Sequence, residues 1–535
     1  MSFIACAAIV SLSSLAAAAP TNASPEDPLA AAIRTRIGAS RVAGEALHSG
    51  PELSRIYTER AFAPAWIADR RPSQDAKAMQ GEIGRAAAHG LNPEFYHSSK
   101  IAILVNEAGG GDSGPSAQAD LDILLTDAFI ALGSNLSSGL ADPYKFKIAW
   151  LRPNAAVDFN ALLEKSLNAH DVDRELELLA PQDSAYKDLQ KMLARYEELA
   201  SKGGWPTVGI GEKIEPGATD PRIADVRKRL AAEGVSVNTA GDENLYDDAL
   251  KDAVVHFQER HGLAQDGVIG KGTIAAMNAT AGWRACQVRI NLDRMRGFSK
   301  EFAEQRSILV NVPDFHVKVR ESGQDILAMK AIVGRRDRKT PMMSDKVRLV
   351  VFSPRWDVPV SIAVKDKLPE IKKDPGFLER HGMKLYSEGV EVKADEVDWS
   401  SVDAGNFTYH IVQRSGDDNA LGRVKFLFPN KDNVYLHDTP TKGLFQNAVR
   451  TFSSGCIRIE KPVELAEYLL KGKDGWDRTR IEEAMERKDP LYVNLDEPMP
   501  IHILYLTAWA DKDGTSEFRD DIYGHDRSLE KQFCR

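Results

Sequence analysis

The segment from Tyr435 to Pro462, YLHDTPTKGLFQNAVRTFSSGCIRIEKP, contains the residue types that nucleophilic thiol catalysis requires. This chemistry needs a thiolate, an imidazole that exchanges protons with it, and backbone N–H groups that stabilise an oxyanion. Cys456 supplies the thiol and His437 supplies the imidazole. Gly455 has no Cβ, so the backbone around it can approach a substrate closely and form the oxyanion hole. The pattern predicts a covalent thioester on Cys456.

Three further side chains flank the nucleophile and can support it. Ser453 and Ser454 can hydrogen-bond locally and hold the loop, while Arg458 can favour the thiolate or bind a carboxylate. Taken one at a time, a lone Cys is more often a core residue, and a His at a strand end more often bonds to the backbone. The chain has no HExxH and no paired CxxC, so we predict neither a metal nor a cofactor.

A mainly β domain at 306–500 is predicted to position these residues. Short β-branched runs and a strict apolar alternation indicate its strands, and His437 ends one of the runs. The runs are Ile308–Val312, Val347–Phe352 and Val434–Leu436, and the alternation covers Phe315, Val317 and Val319. A Lys/Glu/Asp-rich stretch with helical spacing at about 360–408 predicts an inserted, α-containing capping subdomain. Such a subdomain could cover a cleft as a lid. Residues 501–535 are assigned to a C-terminal extension.

Two helical regions precede the β domain. Residues 30–215 are rich in Ala and Leu with helical apolar spacing, which predicts a mainly α scaffold domain. After a Gly/Pro/Trp-rich boundary, residues 220–278 predict a small domain of three helices, two of them amphipathic. Length and composition therefore favour a multidomain globular protein.

Composition and the first residues restrict where the protein acts. With a net charge of -9 and no basic arm, nucleic acid is not expected as a partner. Residues 1–23 have the apolar run and small-residue cleavage region of an exported protein's signal peptide, although the first basic residue is Arg34. An uncleaved membrane anchor is the alternative. Cys286, Cys456 and Cys534 follow this segment, and the sequence leaves open whether Cys286 and Cys534 pair.

The stretch from His437 to Arg458 resembles the signature of the YkuD-type L,D-transpeptidases, in which a His precedes Ser/Thr-x-Gly-Cys-x-Arg/Asn. Here 15 residues separate His437 from Ser453, and Ser454 stands where many members have a second His. The resemblance extends to four other segments, and in two of them Ser353 and Ser415 replace the expected Asn and Pro. The segments are VGRRDRKTP at 333–341, SPRWDVPVSI at 353–362, QRSGDDNALGRVKFLFPN at 413–430 and TAWADKDGTSEFRDDIYGHD at 507–526.

Together these segments resemble the large Gram-negative subgroup, which combines a scaffold, a peptidoglycan-binding domain and a capped catalytic domain. The resemblance implies a periplasmic enzyme that joins peptidoglycan stem tetrapeptides by 3→3 cross-links and is acylated by carbapenems. Residues 220–278 resemble the peptidoglycan-binding domain, which implies contact with the glycan. Cleft-lining roles are implied for Gln413, Asn419, Gly422 and Tyr435.

Three other functions remain open at this point. Water as the acceptor would give an L,D-carboxypeptidase, and a protein acceptor would give attachment of a wall protein. A wall-binding scaffold with an inactive catalytic domain is the third, although the four signature residues His437, Gly455, Cys456 and Arg458 are all present. The acceptor, the glycan-contacting residues and the oligomeric state cannot be inferred from the sequence.

Overall fold

A computed structural model describes residues 27–109, 113–141, 157–235, 237, 241–297 and 306–534. The predicted signal segment 1–23 lies outside these ranges. Among the helices described, none is long and apolar enough to cross a membrane. The chain divides into two compact units, of which the first holds the described residues up to Ile83 together with Glu94–Ala131 and Phe159–Val172.

The first unit is built from helices and two short hairpins, as predicted for the scaffold. Apolar residues at helical spacing on its longest helix, Leu121, Leu124, Leu125 and Ala128, are fully buried. The elements that begin in this unit are α1 (Pro28–Arg36), β1 (Arg41–Val42), β2 (Glu45–Ala46), α2 (Gly50–Glu59), β3 (Ile67–Ala68), β4 (Arg71–Pro72), α3 (Gln74–Arg85), α4 (Ser98–Gly109), α5 (Pro115–Ser138), α6 (Phe159–Ala169) and α7 (Val172–Glu177).

The second unit begins with helices that include the predicted three-helix domain. The apolar stripes of its two amphipathic helices, among them Val226, Leu230, Val254 and Phe257, form one buried cluster. This confirms the mainly helical character predicted for residues 220–278. The helices are α8 (Ser184–Ser201), α9 (Arg222–Ala232), α10 (Asp248–Arg260), α11 (Lys271–Asn278) and α12 (Ala281–Arg296).

Residues 307–504 contain a nine-stranded sheet that closes on itself. Its strands follow the order β15-β7-β16-β14-β13-β8-β17-β5-β6, and β6 also pairs with β7. The nine strands are β5 (Ser307–Asn311), β6 (His316–Glu321), β7 (Gln324–Gly334), β8 (Met343–Phe352), β13 (Val424–Leu427), β14 (Leu436–His437), β15 (Thr451–Ser453), β16 (Ile457–Ile459) and β17 (Leu491–Leu504). Four further strands lie outside this sheet: β9 (Trp356–Asp357), β10 (Met383–Ser387), β11 (Val390–Val392) and β12 (His410–Gln413). The apolar core fills the interior of the nine-stranded sheet, so each of its strands has one inner and one outer face.

The insertion has a core of its own, which includes Ile371, Trp399 and Ile411. Its helices lie where the helical spacing predicted them, at α13 (Val360–Ile362), a π-helical turn (Ala363–Lys367), α14 (Leu368–Lys373) and α15 (Phe377–Arg380). A four-stranded sheet in the order β11-β10-β12-β9 accompanies them, which the sequence reading did not predict. The capping subdomain is therefore mixed α and β.

The last part of the chain is integrated with the barrel and with α12. Strand β17 crosses the boundary placed at 500, and its residues from Ile501 to Leu504 pair with β5. A disulfide joins Cys286 on α12 to Cys534, with a Cα–Cα distance of 5.0 Å. The remaining elements are α16 (Pro462–Leu470), α17 (Arg478–Met485), β18 (Ala508–Ala510), β19 (Ser516–Phe518) and α18 (His525–Phe533).

Candidate active site

The register of two neighbouring strands places the candidate nucleophile and base on one face. Strands β14 and β16 run parallel, with Leu436 opposite Ile457 and His437 opposite Arg458. Leu436 and Ile457 belong to the barrel core. Because side chains alternate along extended chain, His437 on β14 and Arg458 on β16 face outward, as do Tyr435 and Cys456, which immediately precede these strands. The site lies on the outer face of the barrel.

Ser453 fixes the loop that carries the candidate nucleophile. Its hydroxyl donates to the Cys456 carbonyl at 2.5 Å and accepts the Gly455 N–H at 3.1 Å. The Thr340 hydroxyl adds a bond to the Gly455 carbonyl at 2.8 Å. Gly455 has a φ of +121°, a conformation that other residues rarely adopt. The loop before Cys456 is therefore held at three backbone groups.

This arrangement changes the role predicted for Gly455. We expected its backbone N–H to face an oxyanion, but in this structure the group donates to the Ser453 hydroxyl. The glycine is needed for its positive φ, since a Cβ there would lie no closer than 3.7 Å to its neighbours. The N–H of Cys456 is then the better candidate for an oxyanion donor.

Ser454 connects the nucleophile loop to the capping subdomain, a connection that sequence reasoning missed. Arg338 donates to the Ser454 hydroxyl at 2.9 Å and forms a two-pronged ion pair with Asp366 of the π-helical turn, one contact of which measures 2.6 Å. Arg338 lies in the VGRRDRKTP segment that carried the family resemblance. That resemblance was the available signal, but it did not indicate the partners.

His437 is buried, and its ring bonds to the backbone. Its Nδ1 lies 2.6 Å from the Asp438 carbonyl, which can only accept, so Nδ1 donates there. A second backbone contact, with Leu421, also favours the protonated ring. Burial, assisted by the charge of Arg458, lowers the pKa of His437 to about 3. The imidazole is neutral at pH 7.

The Cys456 thiol is also neutral at rest. Burial raises its pKa, and this effect outweighs the opposing contributions of Tyr435, Arg458 and Lys425. The sulfur is half-buried and lies 3.8 Å from the Asn433 carbonyl. The charge of Arg458 lowers the pKa of the thiol, but not enough to produce a resting thiolate. The resting site contains a thiol and an imidazole rather than an ion pair.

Two cations stand beside the sulfur on the outer face. Arg458 donates to the Thr441 hydroxyl at 3.1 Å, and its buried Nε has no hydrogen-bond partner among the described residues. Lys425 is paired with His437 across β13 and β14, and burial lowers the pKa of its ammonium. The sequence reading did not select Lys425, although its position between core residues Val424 and Phe426 places it outward.

The four residues predicted to line the cleft have different roles. The Tyr435 hydroxyl adjoins the Cys456 sulfur, and burial together with that sulfur raises the pKa of the phenol. Gly422 allows Asp438 to approach, since a Cβ there would lie 2.4 Å from the Asp438 carboxylate. Contact of Tyr435 with substrate stays a prediction.

The amide groups of Gln413 and Asn419 are engaged inside the protein. Gln413 donates to the carbonyls of His381 and Asp418 and accepts from the Ala420 N–H, at 2.9 to 3.0 Å. Asn419 donates to two carbonyls and accepts the Leu421 N–H at 2.8 Å. The cleft-lining role predicted for them is not what these contacts show. Both residues are buried and stabilise the loop between β12 and β13.

One cluster of potential metal ligands lies in the first unit, away from Cys456 in sequence. His48, His97 and Asp127 bring ligand atoms within 4.8 Å of one another. The Asp127 carboxylate already accepts from His97 Nε2 at 2.8 Å and from the N–H groups of His48 and Ser49. Hydrogen bonding therefore accounts for this cluster without a metal.

Three domain families match successive parts of the chain. Residues 51–193 match the "Scaffold domain", residues 219–277 the "Putative peptidoglycan binding domain", and residues 305–482 the "L,D-transpeptidase catalytic domain". The last of these contains His437, Cys456 and Arg458. The matches agree with the domain types that the sequence resemblance implied.

A curated relative and two solved structures are similar to parts of the chain. A protein of Haemophilus influenzae named "Putative L,D-transpeptidase" is 38% identical over 223 residues, which cover 42% of this chain and 45% of that protein. The chain thus spans less than half of the relative that it matches. L,D-transpeptidase structures from Xylanimonas cellulosilytica and Stackebrandtia nassauensis are 14% and 13% identical, covering 55% and 58% of this chain and 99% of each of theirs. Their TM-scores are 0.19 and 0.21, too low to inform the fold.

Proposed function

We propose that this chain, which carries an L,D-transpeptidase catalytic domain with scaffold and peptidoglycan-binding domains, forms 3→3 cross-links in peptidoglycan through a thioester on Cys456. The observation that carries the proposal is the common outer face of Cys456 and His437, on neighbouring paired segments, together with the neutral state of His437. A neutral imidazole beside a neutral thiol can take up a proton as the sulfur attacks.

The first half-reaction forms the acyl-enzyme. The Cys456 thiol passes its proton to His437 while the sulfur attacks the carbonyl of the third residue of a tetrapeptide stem. The Cys456 N–H stabilises the oxyanion, and the charges of Arg458 and Lys425 favour the negative charge that develops nearby. When the tetrahedral intermediate collapses, His437 returns the proton to the departing amine of the terminal D-Ala.

The second half-reaction resolves the thioester. The side-chain amine of a diaminopimelate residue in an acceptor stem attacks the acyl carbon, and His437 accepts the proton that the amine loses. Collapse of the intermediate expels the sulfur, which recovers the proton from His437. The products are a 3→3 amide bond and the resting thiol. Water in place of the amine gives the tripeptide product of an L,D-carboxypeptidase.

The site of action follows from the substrate. Because peptidoglycan lies outside the cytoplasmic membrane, we place the enzyme in the periplasm of a Gram-negative envelope. Residues 1–23 support export through their signal-like composition.

Incubation of the full chain with purified disaccharide tetrapeptides, followed by chromatography and mass spectrometry of the products, tests the proposal. Dimers joined 3→3 are expected. Tripeptide without dimers would assign the carboxypeptidase reaction, and no turnover would favour a wall-binding scaffold. Cys456→Ala is the control variant and is expected to yield neither product.

A further inference from the structure

A groove of about 710 Å³ lies between the peptidoglycan-binding module and the outer face of the barrel. Its floor is formed by β6 and β7 through His316, Lys318 and Lys330, and one wall is formed by the loop after α10. Trp509 lies at its rim, half-buried. All of these residues belong to the second compact unit.

The two sides of this groove are fastened together by one arginine. Arg519 donates to the Asp314 carboxylate at 2.7 Å, next to β6, and to the Arg260 carbonyl of α10 at 2.9 Å. Gly262 permits this contact, since a Cβ there would lie 2.4 Å from the Arg519 side chain. Burial alone would raise the pKa of Asp314, but Arg519 and His316 hold it well below its usual range. The module therefore has a fixed position over β6 and β7.

The floor of the groove belongs to the same sheet face as the nucleophile. Arg458 on β16 is opposite Ile332 on β7, and Lys330 and Ala328 follow at alternate positions on β7. Across β6, these two are opposite His316 and Lys318. Their intervening neighbours, such as Met329 and Ala331, belong to the barrel core. Lys318, Lys330, Arg458 and Lys425 thus form a row of cations on one outer face of a chain whose net charge is -9.

The distance along this face matches the length of a peptide stem. Extending the β16–β7 register by two residues places Cys456 at the level of Gly334, four residues beyond Lys330. At the rise of a strand this separation is about 13 Å. An extended peptide of four residues spans about 13 to 14 Å. The reacting carbonyl belongs to the third residue, about 10 to 11 Å from the near end of an extended stem, so a stem whose near end lies about one residue from Lys330 toward Cys456 places that carbonyl at the level of the sulfur.

The charges of the groove fit such a stem. Peptidoglycan stems carry several carboxylates and, at diaminopimelate, an amine. The floor offers Lys330 and Lys318. The Lys330 ammonium forms no ion pair in the described part of the chain, although its backbone N–H donates to the Glu460 carboxylate at 3.1 Å, and Lys318 pairs with Asp325 at 3.0 Å. The module side offers Glu259 and Asp266 for an amine. A ligand that carries both carboxylates and an amine is therefore complementary in charge to the floor and to the module side of the groove.

We propose that this groove binds the acidic peptide stem of a peptidoglycan strand, with Lys330 and Lys318 on its carboxylates, and directs the stem along the outer face to Cys456. The proposal rests on the proposed function and identifies where its substrate is held. It also assigns a task to the fixed position of the module, which is to form one wall of the site.

Binding of a disaccharide tetrapeptide to the full chain tests this, measured by titration calorimetry on the Cys456→Ala protein so that no reaction occurs. Lys330→Glu in that background should weaken binding about tenfold, because an attraction becomes a repulsion. Lys318→Glu should have a smaller effect, since Lys318 already has a partner. Lys346→Glu, an exposed strand lysine outside the groove, is the matched control and should bind like its parent.

Two further measurements test whether the change in affinity depends on the peptide stem. A disaccharide without peptide should show no dependence on Lys330, and added salt should weaken the parent more than Lys330→Glu. Thermal midpoints of the variants check that they fold. Equal affinity of Lys330→Glu and its parent, or no binding by the parent at millimolar ligand, overturns the groove proposal. Turnover by the wild-type chain is a separate measurement, so the proposed reaction can stand if the groove proposal fails.

Discussion

Replacing Ser453 with alanine removes the hydroxyl that holds the nucleophile loop from two sides. The Gly455 N–H loses its acceptor at 3.1 Å and the Cys456 carbonyl loses its donor at 2.5 Å. Ser453 is buried, with 2% of its surface exposed, so water cannot readily replace either bond. An unsatisfied buried polar group costs about 1 to 3 kcal/mol, so the loss of both bonds should destabilise the loop by about 2 to 6 kcal/mol.

Ser454→Ala is the matched control one residue away. The Ser454 hydroxyl accepts one bond from Arg338, which keeps its ion pair with Asp366, and Ser454 is only half-buried. Its loss should cost about 1 kcal/mol. The two variants remove the same atom from adjacent residues, and the structure predicts different consequences.

Hydrogen exchange measured by mass spectrometry on a peptide covering Thr451–Ile459 provides the readout. A loss of about 2 kcal/mol corresponds to roughly 30-fold faster exchange of the Gly455 amide in Ser453→Ala, whereas about 1 kcal/mol gives roughly fivefold in Ser454→Ala. The rate of acylation by a carbapenem should fall in the same order. Unchanged exchange in Ser453→Ala, or a larger effect from Ser454→Ala, would refute this account of the loop.

Three other perturbations test the electrostatics and packing of the site. Arg458→Gln should raise the pKa of the Cys456 thiol further, because it removes a charge that favours the thiolate. The midpoint of the pH profile of labelling by iodoacetamide should therefore move to higher pH, and a shift to lower pH contradicts this. Buried histidines with lowered pKa values stabilise the folded state above about pH 6.5, and this stability is lost as the pH falls through their folded pKa values. Each histidine that stays neutral at pH 5 should lower the free energy of unfolding at pH 5 by about 2 kcal/mol relative to pH 7. A thermal midpoint that does not fall between pH 7 and pH 5 is the contrary result. These histidines include His437, with a pKa of about 3, His502, with a pKa of about 4, and His261, whose pKa burial lowers well below its usual value; the half-buried His525 also has a pKa of about 4. Gly334→Ala would place a Cβ 2.1 Å from the Arg338 carbonyl and should lower the thermal midpoint and slow carbapenem acylation. Gly443→Ala, whose Cβ would have no atom within 4 Å, should do neither. Equal behaviour of the two variants would show that the contact is relieved at little cost.

The sequence predicts local features of the site well because strand alternation is local. Short β-branched runs predicted β14 and the core residues next to the site, and helical spacing of apolar residues predicted α9 and α10. The side on which a residue such as Cys456 lies then follows from a period of two. The domain types follow from the same patterns and from the family resemblance.

Contacts between distant parts of the chain were not predictable in this way. Arg338 and Ser454 are 116 residues apart, and nothing in either segment indicates the other. The pairing of Cys286 with Cys534 was left open for the same reason, because spacing along the chain does not give the distance between Cα atoms. The internal hydrogen bonds of Gln413 were not predictable either, because a polar residue near a cleft can equally be a buried structural amide, and only its partners distinguish the two.

The most direct test of the central claim is the intact mass of the protein during turnover. After brief incubation with a disaccharide tetrapeptide and an acid quench, the wild-type chain should gain the mass of the donor less D-Ala, and Cys456→Ala should gain nothing. Peptide mapping should locate the adduct on Cys456. Turnover without an adduct under conditions that preserve thioesters, or an equal adduct on Cys456→Ala, would contradict a thioester at this residue.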